Sequence, residues 1–436
     1  MMKRLVVWVG MVIFAIPCFA AEPQKAKPLM KDFMGMCVHT VQFKPELYKP
    51  ICRLVRDYHG LEWDLGDETN FWPVFPFARN QVDWGTMYGQ WVQSGYEISA
   101  SIMFGATPYE KWKNPARDAE TYGFAFARVF GPQGRNVVTS VEIGNEPGHY
   151  TDPQYRLIFE AMAKGLRAGD SKMKIATCAA IAVDSHKYAK SLSCVKGLES
   201  LYDVINVHSY AEVKGWPTWE RSFPEDSSIV YLKDIQAVID WRNQNASGKE
   251  VWLTEFGWDA CTQPAPAEGT FKDWKGSSET EQARYLVRSW LVFSAMDLDR
   301  AYIFWFNDDD KPQVHGSAGL TRNYQPKPSF WAVAHLHQTL GEYRFSRKVM
   351  ETPEAYVYEY VRGQIVEGHA SKIYAAWIPC GTDKTAEISF SLGRAQVLGA
   401  ECMPLAEGKA QAVTVKVTDG KATLTCSGAP VYIRVQ

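Results

Sequence analysis

Eight short apolar runs, separated by longer polar stretches over about 300 residues, constrain this chain more than any other feature. They are Met36–His39, Leu54–Arg56, Ile98–Phe104, Val137–Ile143, Lys174–Ala180, Val204–His208, Val251–Thr254 and Tyr302–Trp305. Each has the length and the β-branched or aromatic content of a buried strand. Helical periodicity fills several of the gaps, as in Asp152–Ala168, Ser228–Arg242 and Glu279–Met296. The last of these opens with Ser278 as N-cap and Glu281 three residues on, the pattern of a capping box. Strands that alternate with helices pair in parallel through crossovers, and eight such units predict an α/β chain with a (β/α)8 barrel.

The texture changes after Gly341. Helical patterns fade, and alternating segments appear at Ala355–Val361, Lys372–Ile378, Ala386–Phe390, Ala412–Val417, Ala422–Cys426 and Val431–Val435. These predict a small C-terminal antiparallel β-sandwich over 341–436, with the barrel over 21–340. Residues 1–20 have the layout of a signal peptide: Lys3 and Arg4, an apolar run from Leu5 to Ala15, then small residues before Ala21. Cleavage after Ala20 and export to the periplasm or the medium are expected. Lipoprotein anchoring at Cys18 is the alternative, against which Pro17 stands. No later segment is long and apolar enough to insert in a membrane. The net charge of −2 gives no basic face for a nucleic acid. A monomer is expected. Eight cysteines follow the leader (Cys37, Cys52, Cys178, Cys194, Cys261, Cys380, Cys402, Cys426). Some can pair after export, and most are expected to be small buried apolar residues. None lies in a CxxC or a Cys/His cluster, so no zinc site is expected.

A barrel of this kind carries its chemistry at the C-terminal ends of its strands. Two stretches put a glutamate there: "EIGNEP", residues 142–147, and "VWLTEFGW", residues 251–258. Val251, Leu253 and Glu255 share one parity, as do Glu142, Gly144 and Glu146, so both rows are expected to face inward and to continue over the barrel mouth. Two carboxylates at one mouth suit glycoside hydrolysis with retention, which uses an acid/base and a nucleophile about 5–5.5 Å apart. The acid of such a pair must hold its proton near neutral pH, and the nucleophile must stay ionised. Arg56, and His208 and Tyr210 of "NVHSY", are candidates for holding a carboxylate ionised. Glu142, deeper on the same face, is expected to be a buried structural acid paired with Arg56. His39, His149 and Tyr150 are further candidates for substrate contact. Seven tryptophans (Trp63, Trp72, Trp112, Trp216, Trp219, Trp258 and Trp274) fall in expected loops, where two or three are expected to stack on sugar rings. Asn307–Asp310 offers clustered oxygens of the kind calcium takes, but is expected to be a solvated loop. No metal and no cofactor are expected. The GxSxG and GxxxxGK[ST] motifs are absent.

"EIGNEP" together with "WLTEFGW" resembles the clan A glycoside hydrolases, whose catalytic glutamates lie on strands four and seven. The resemblance extends through "VHSY", "SSETEQARYLVRSWLVFSAMDLDRAYIFWF" and "GLTRNYQPKPSFWAVAHL". It covers most of Gly35 to Leu340 and is greatest with family 39-like and family 5-like barrels. It implies Glu146 as acid/base and Glu255 as nucleophile. It further implies that Asn145 hydrogen-bonds the sugar 2-hydroxyl, that Arg56 and Tyr210 hold the nucleophile, and that Trp305 floors the subsite beside the scissile bond. His208 and His39 complete the expected substrate contacts. Gly144 departs from the pattern, because many family 39 and family 5 members have Trp there; Gly-Asn-Glu occurs in families 17 and 79 of the same clan. The expected activity is retaining O-glycosyl hydrolysis of a poly- or oligosaccharide, the carbohydrate being the partner. A non-catalytic polysaccharide-binding barrel and a transglycosylase are the alternatives.

Overall fold

The computed structural model describes residues 25–42, 44–363 and 371–436. The expected leader, with Cys18, lies outside the described residues. Eight strands form the barrel: β1 Met34–Val38, β2 Leu54–Gly60, β3 Glu97–Met103, β4 Ser140–Ile143, β5 Lys174–Ile181, β6 Val204–His208, β7 Glu250–Phe256 and β8 Arg300–Ile303. Each pairs in parallel with the next, and β8 pairs with β1 to close the ring.

Among the described residues, the longer helices pack outside it: α1 Trp84–Gln93, α2 Pro115–Phe130, α3 Asp152–Gly169, α4 Tyr231–Asn245, α5 Glu279–Ala295 and α6 Pro328–Leu340. The capping box at Ser278 and Glu281 forms as expected, and Thr151 with Gln154 makes a second one at the start of α3. Helices α2 and α3 touch at their backbones: a Cβ on Gly165 would lie 2.0 Å from the Glu120 carbonyl oxygen. The crossover from β5 to β6 holds no α-helix; a two-residue strand at Lys190–Ser191, paired with β5, runs into a 3-10 turn at Leu192–Val195. Leu192, Val195, Leu198 and Leu201 recur every three residues there, which is the period of a 3-10 turn.

Alternation along the strands sorts side chains between two cores. Cys37, Leu54, Ala176, Val204, Trp252 and Tyr302 fill the barrel interior. Val55, Val141, Ile143, Ile205, Val207, Val251 and Leu253 face outward into the layer shared with the helices. This corrects the expected parity of β7. Val251 and Leu253 face the helices, and Trp252 faces in. Glu255 still reaches the interior because the register slips between Leu253 and Glu255, which puts Glu255 beside His208. One extra residue in a strand re-aims the side chain after it.

The C-terminal region is the expected sandwich. Its strands are β9 Arg344–Glu351, β10 Tyr356–Arg362, β11 Ser371–Trp377, β12 Ala386–Ser391, β13 Val397–Cys402, β14 Gln411–Ala412, β15 Lys416–Thr418, β16 Lys421–Cys426 and β17 Val431–Val435. A six-stranded sheet in the order β9-β10-β11-β17-β13-β14 covers a three-stranded one in the order β12-β16-β15. Val357, Ala376, Ile388, Phe390, Leu424 and Ile433 fill the space between them. The sequence pattern missed β9 and β13, and took β14 and β15 as one strand. Register shifts interrupt both β9 and β13, so neither keeps a clean alternation.

The other face of the larger sheet joins the barrel core through Tyr358, Tyr360, Trp377 and Tyr432. Arg288 of α5 crosses that join. Its Nε donates to Glu225 at 2.9 Å, Trp377 Nε1 donates to the same carboxylate at 2.7 Å, and Arg288 Nη1 donates to the Cys380 carbonyl at 2.7 Å. Both charged side chains are fully buried.

Two further expectations meet the structure here. All eight cysteines of the described residues are free thiols. Asn307–Asp310 is not a solvated loop: Asp308 is buried, with Lys327 at 2.9 Å and Arg322 at 3.2 Å. Its oxygens are spent on cations of the chain itself. Among the described residues no helix is long and apolar enough to cross a membrane.

Candidate active site

Strand β2 sends Arg56 and Tyr58 into the barrel at the level where β4, β6 and β7 end. Arg56 is completely buried and acts as a hub. Its Nε and Nη2 grip both oxygens of Glu142 at 2.7 and 2.9 Å. Its Nη1 donates to Glu255 Oε1 at 3.0 Å, and Nη2 donates to Asn145 Oδ1 at 2.6 Å. The planar guanidinium fork can serve three acceptors at once because its donors are fixed in different directions. Glu142 is thus the buried partner of Arg56 that the sequence led us to expect.

Glu255 is 4% exposed. Besides Arg56, its Oε1 accepts from Tyr58 at 2.7 Å, and its Oε2 accepts from Tyr210 at 2.8 Å. Burial by itself would push this carboxyl up. His208, Arg56, the Tyr58 hydroxyl and His315 outweigh it and bring the group down to about 2. Glu255 is therefore held as a carboxylate throughout the neutral range.

Glu146 is the more open of the two glutamates, with a side chain 30% exposed. Strand parity does not carry it to the site. The strand ends at Ile143, and Gly144 and Asn145 both have positive φ, at 108° and 39°. A Cβ on Gly144 would lie 2.8 Å from the Phe104 ring. Phe104 and Tyr155 occupy the space that a larger side chain would need, which is the local reason for glycine here.

His208 stands between the two carboxylates. Its Nδ1 is 2.8 Å from Glu146 Oε1 and 3.5 Å from Glu255 Oε2. Burial pulls the imidazole down, but Glu255 and Glu146 together raise it above its ordinary value. One oxygen of each glutamate and a ring nitrogen of His208 lie within 4.8 Å of one another. The two carboxylates therefore share one opening. The same three atoms have the reach to share a metal ion. Against that, both oxygens of Glu255 already accept from Arg56, Tyr58 and Tyr210, and a guanidinium 3.0 Å away repels a cation.

Of the remaining expected residues, Trp305 and His39 reach the same place. Trp305 is half-buried and meets His39 edge-to-face at 5.1 Å. His39 lies 5.4 Å from the Tyr58 ring, and burial holds its imidazole below the ordinary value. Tyr150 does not face a ligand; it is buried, accepts from Trp112 at 2.9 Å and donates to the Thr107 carbonyl. His149 beside it is exposed. Of the seven loop tryptophans, Trp258 and Trp112 are buried and Trp63 stacks on Trp84. Trp72 lies against Phe124 of α2 on the outer layer. Trp274 is buried as well. Trp219 packs on Tyr210 and His315 behind the site, and Trp216 stands 67% exposed on the hairpin after β6.

Three residues escaped the sequence reading. Tyr58 was legible, since it shares parity with Arg56 in "RDYHG". Tyr188 and His315 come from loops and carried no pattern. Burial raises the Tyr188 hydroxyl, and the charges of Glu146, Glu212 and Glu255 raise it further. His315 packs on Phe304 at 4.4 Å and on Tyr210 at 5.5 Å.

No family model and no curated protein matches the chain. Solved structures do match. One is a family 39 glycoside hydrolase from the gut symbiont Bacteroides cellulosilyticus WH2, with 17% identity and a TM-score of 0.68 over 94% of this chain and 82% of that one. A glucosidase from Croceicoccus marinus matches with 13% identity and a TM-score of 0.62, over 94% and 97%. A family 51 alpha-L-arabinofuranosidase from Bifidobacterium longum matches with 13% identity and a TM-score of 0.60, over 94% and 96%. At these identities the likeness is one of fold: a (β/α)8 barrel with a β-sandwich, as the clan A glycoside hydrolases have.

Proposed function

We propose that the protein is a retaining glycoside hydrolase that cleaves O-glycosidic bonds of a poly- or oligosaccharide by double displacement. The observation that carries this reading is the pairing of unlike carboxylates at one mouth. Glu255 is buried and held ionised by three donors within 3.0 Å, while Glu146 is partly open to solvent and meets Nδ1 of His208, the same nitrogen that faces Glu255, at 2.8 Å. In the first step Glu255 attacks the anomeric carbon as Glu146 gives its proton to the departing oxygen. The glycosyl ester so formed is then attacked by water, whose proton returns to Glu146, and Glu255 leaves as a carboxylate. Arg56, Tyr58 and Tyr210 stabilise the charge on Glu255 before the attack and again as it leaves. His208 orients Glu146 toward Glu255. Asn145, its Oδ1 tied to Arg56, offers its amide nitrogen to a sugar hydroxyl. Trp305 and His39 wall the sugar on the β8 and β1 side.

The protein acts, on this reading, as an exported monomer, with the barrel at 21–340 as the catalytic unit and the sandwich at 341–436 as its brace. The fold shared with glycoside hydrolases of several families supports the reaction class. The test is turnover of a panel of aryl glycosides and polysaccharides by the wild type, Glu255→Gln and Glu146→Ala. Glu255→Gln is expected to lose activity by at least about a thousandfold with the fold intact. Azide is expected to rescue Glu146→Ala as a glycosyl azide of retained configuration. Full activity of Glu255→Gln on a good substrate would overturn the assignment.

A further inference from the structure

The hairpin after β6 pairs Glu212–Lys214 with Glu220–Arg221 and brings one cation to the back of the site. The Arg221 side chain is 2% exposed. Its guanidinium carbon lies 4.2 Å from the centre of the Tyr210 ring and 4.3 Å from that of Trp219. The two rings are inclined at 49°, and the cation fills the angle between them. Its Nη1 donates to the Gly257 carbonyl and stands 3.9 Å from Asp259. Its Nε and Nη2 are buried without a hydrogen-bond partner. A buried guanidinium ordinarily spends its donors on carboxylates or carbonyls. This one leans on ring faces instead, and the hydroxyl of one ring is the group that donates to Glu255 at 2.8 Å.

We propose that Arg221 is a positioning residue that strengthens the Tyr210–Glu255 hydrogen bond through the Tyr210 ring. The inference rests on Glu255 being the nucleophile. A cation over a ring is bound by the electron density of that ring. In return it draws density from the phenolic oxygen, which makes the O–H a better donor to a carboxylate. Burial and Glu255 push the Tyr210 hydroxyl up, and Arg221 opposes them. The other charges around this pair come from separate elements: Arg56 and Tyr58 on β2, Glu146 after β4, and His208 on β6. Tyr188 after β5, Asp259 after β7 and His315 after β8 complete the set. Arg221 therefore differs from Arg56 in kind, since it reaches the carboxylate only through another side chain.

The test is the acidic limb of the kcat/KM profile with an aryl glycoside, measured for wild type, R221M and R221K, each also in a Y210F background. R221M is expected to move the limb up by about half a pH unit to one unit, and R221K to restore most of the shift. In the Y210F background R221M should move nothing, because the path is gone. If R221M does not fold, R221Q, whose planar amide still fits between the rings, takes its place. An active wild type whose limb is unmoved by R221M, or moved equally in both backgrounds, overturns the inference and leaves the proposed function standing. A wild type that turns over no glycoside, and that no 2-deoxy-2-fluoro glycoside labels at Glu255, overturns both.

Discussion

Replacing Tyr58 by Phe removes one donor from Glu255 and nothing else of comparable size. The hydroxyl lies 2.7 Å from Oε1, in a site where the carboxylate is 4% exposed. Glu255 falls from an ordinary value of 4.5 to about 2 in the folded protein, a difference on the order of 3 kcal/mol. A hydrogen bond to a charged acceptor contributes about 1.5–3 kcal/mol, and the Tyr58 hydroxyl follows His208 and Arg56 among the groups that bring Glu255 down. The folded value lies below the unfolded one. The stabilisation is therefore complete above pH 4.5 and lost as pH falls toward 2. Tyr58→Phe is expected to raise Glu255 by roughly one to two pH units. Two measurements read this. The acidic limb of kcat/KM should move up by a similar amount. Urea unfolding at pH 7 should show a loss of about 1.5–3 kcal/mol that shrinks as the pH is lowered through the same range. A stability loss of constant size at every pH, with the limb unmoved, would show that the hydroxyl only fills space, and would refute the reasoning.

Two other perturbations have defined outcomes. Arg288→Met leaves Glu225 buried and unpaired at the join between barrel and sandwich, and is expected to cost about 3–5 kcal/mol in urea unfolding; the double change with Glu225→Leu should recover much of that, and a double variant no better than the single one would rule out the buried charge as the cause. Gly144→Ala places a methyl 2.8 Å from Phe104 at a φ of 108°, and should lower both stability, by about 1–3 kcal/mol, and kcat through displacement of Glu146; unchanged kinetics would show that the turn does not position the acid.

The barrel was legible because its evidence is local. Eight apolar runs, a helix with a capping box and a switch to alternation after Gly341 each follow from the pattern of one element. The candidate site was legible for a related reason: a strand end is visible in sequence, and "EIGNEP" and "WLTEFGW" both place a glutamate there. Parity, however, brought Glu255 to the barrel mouth by a wrong route. Val251 and Leu253 face the helices, and only the register slip beside β6 turns Glu255 inward. A bulge depends on the neighbouring strand, so no pattern within β7 announces it. The same holds for Glu146, which two successive positive φ values deliver.

Sequence alone thus determined the fold class, the place of two glutamates at strand ends and the Arg56–Glu142 pair, since each depends on residue type and position along one element. Tertiary structure decided which carboxylate is buried and ionised, that His208 stands between the two, and that Tyr58, Tyr188, Arg221 and His315 surround them. Those facts arise where loops from distant strands meet over one opening. Burial, charge and hydrogen-bond supply are properties of that meeting and not of any one segment.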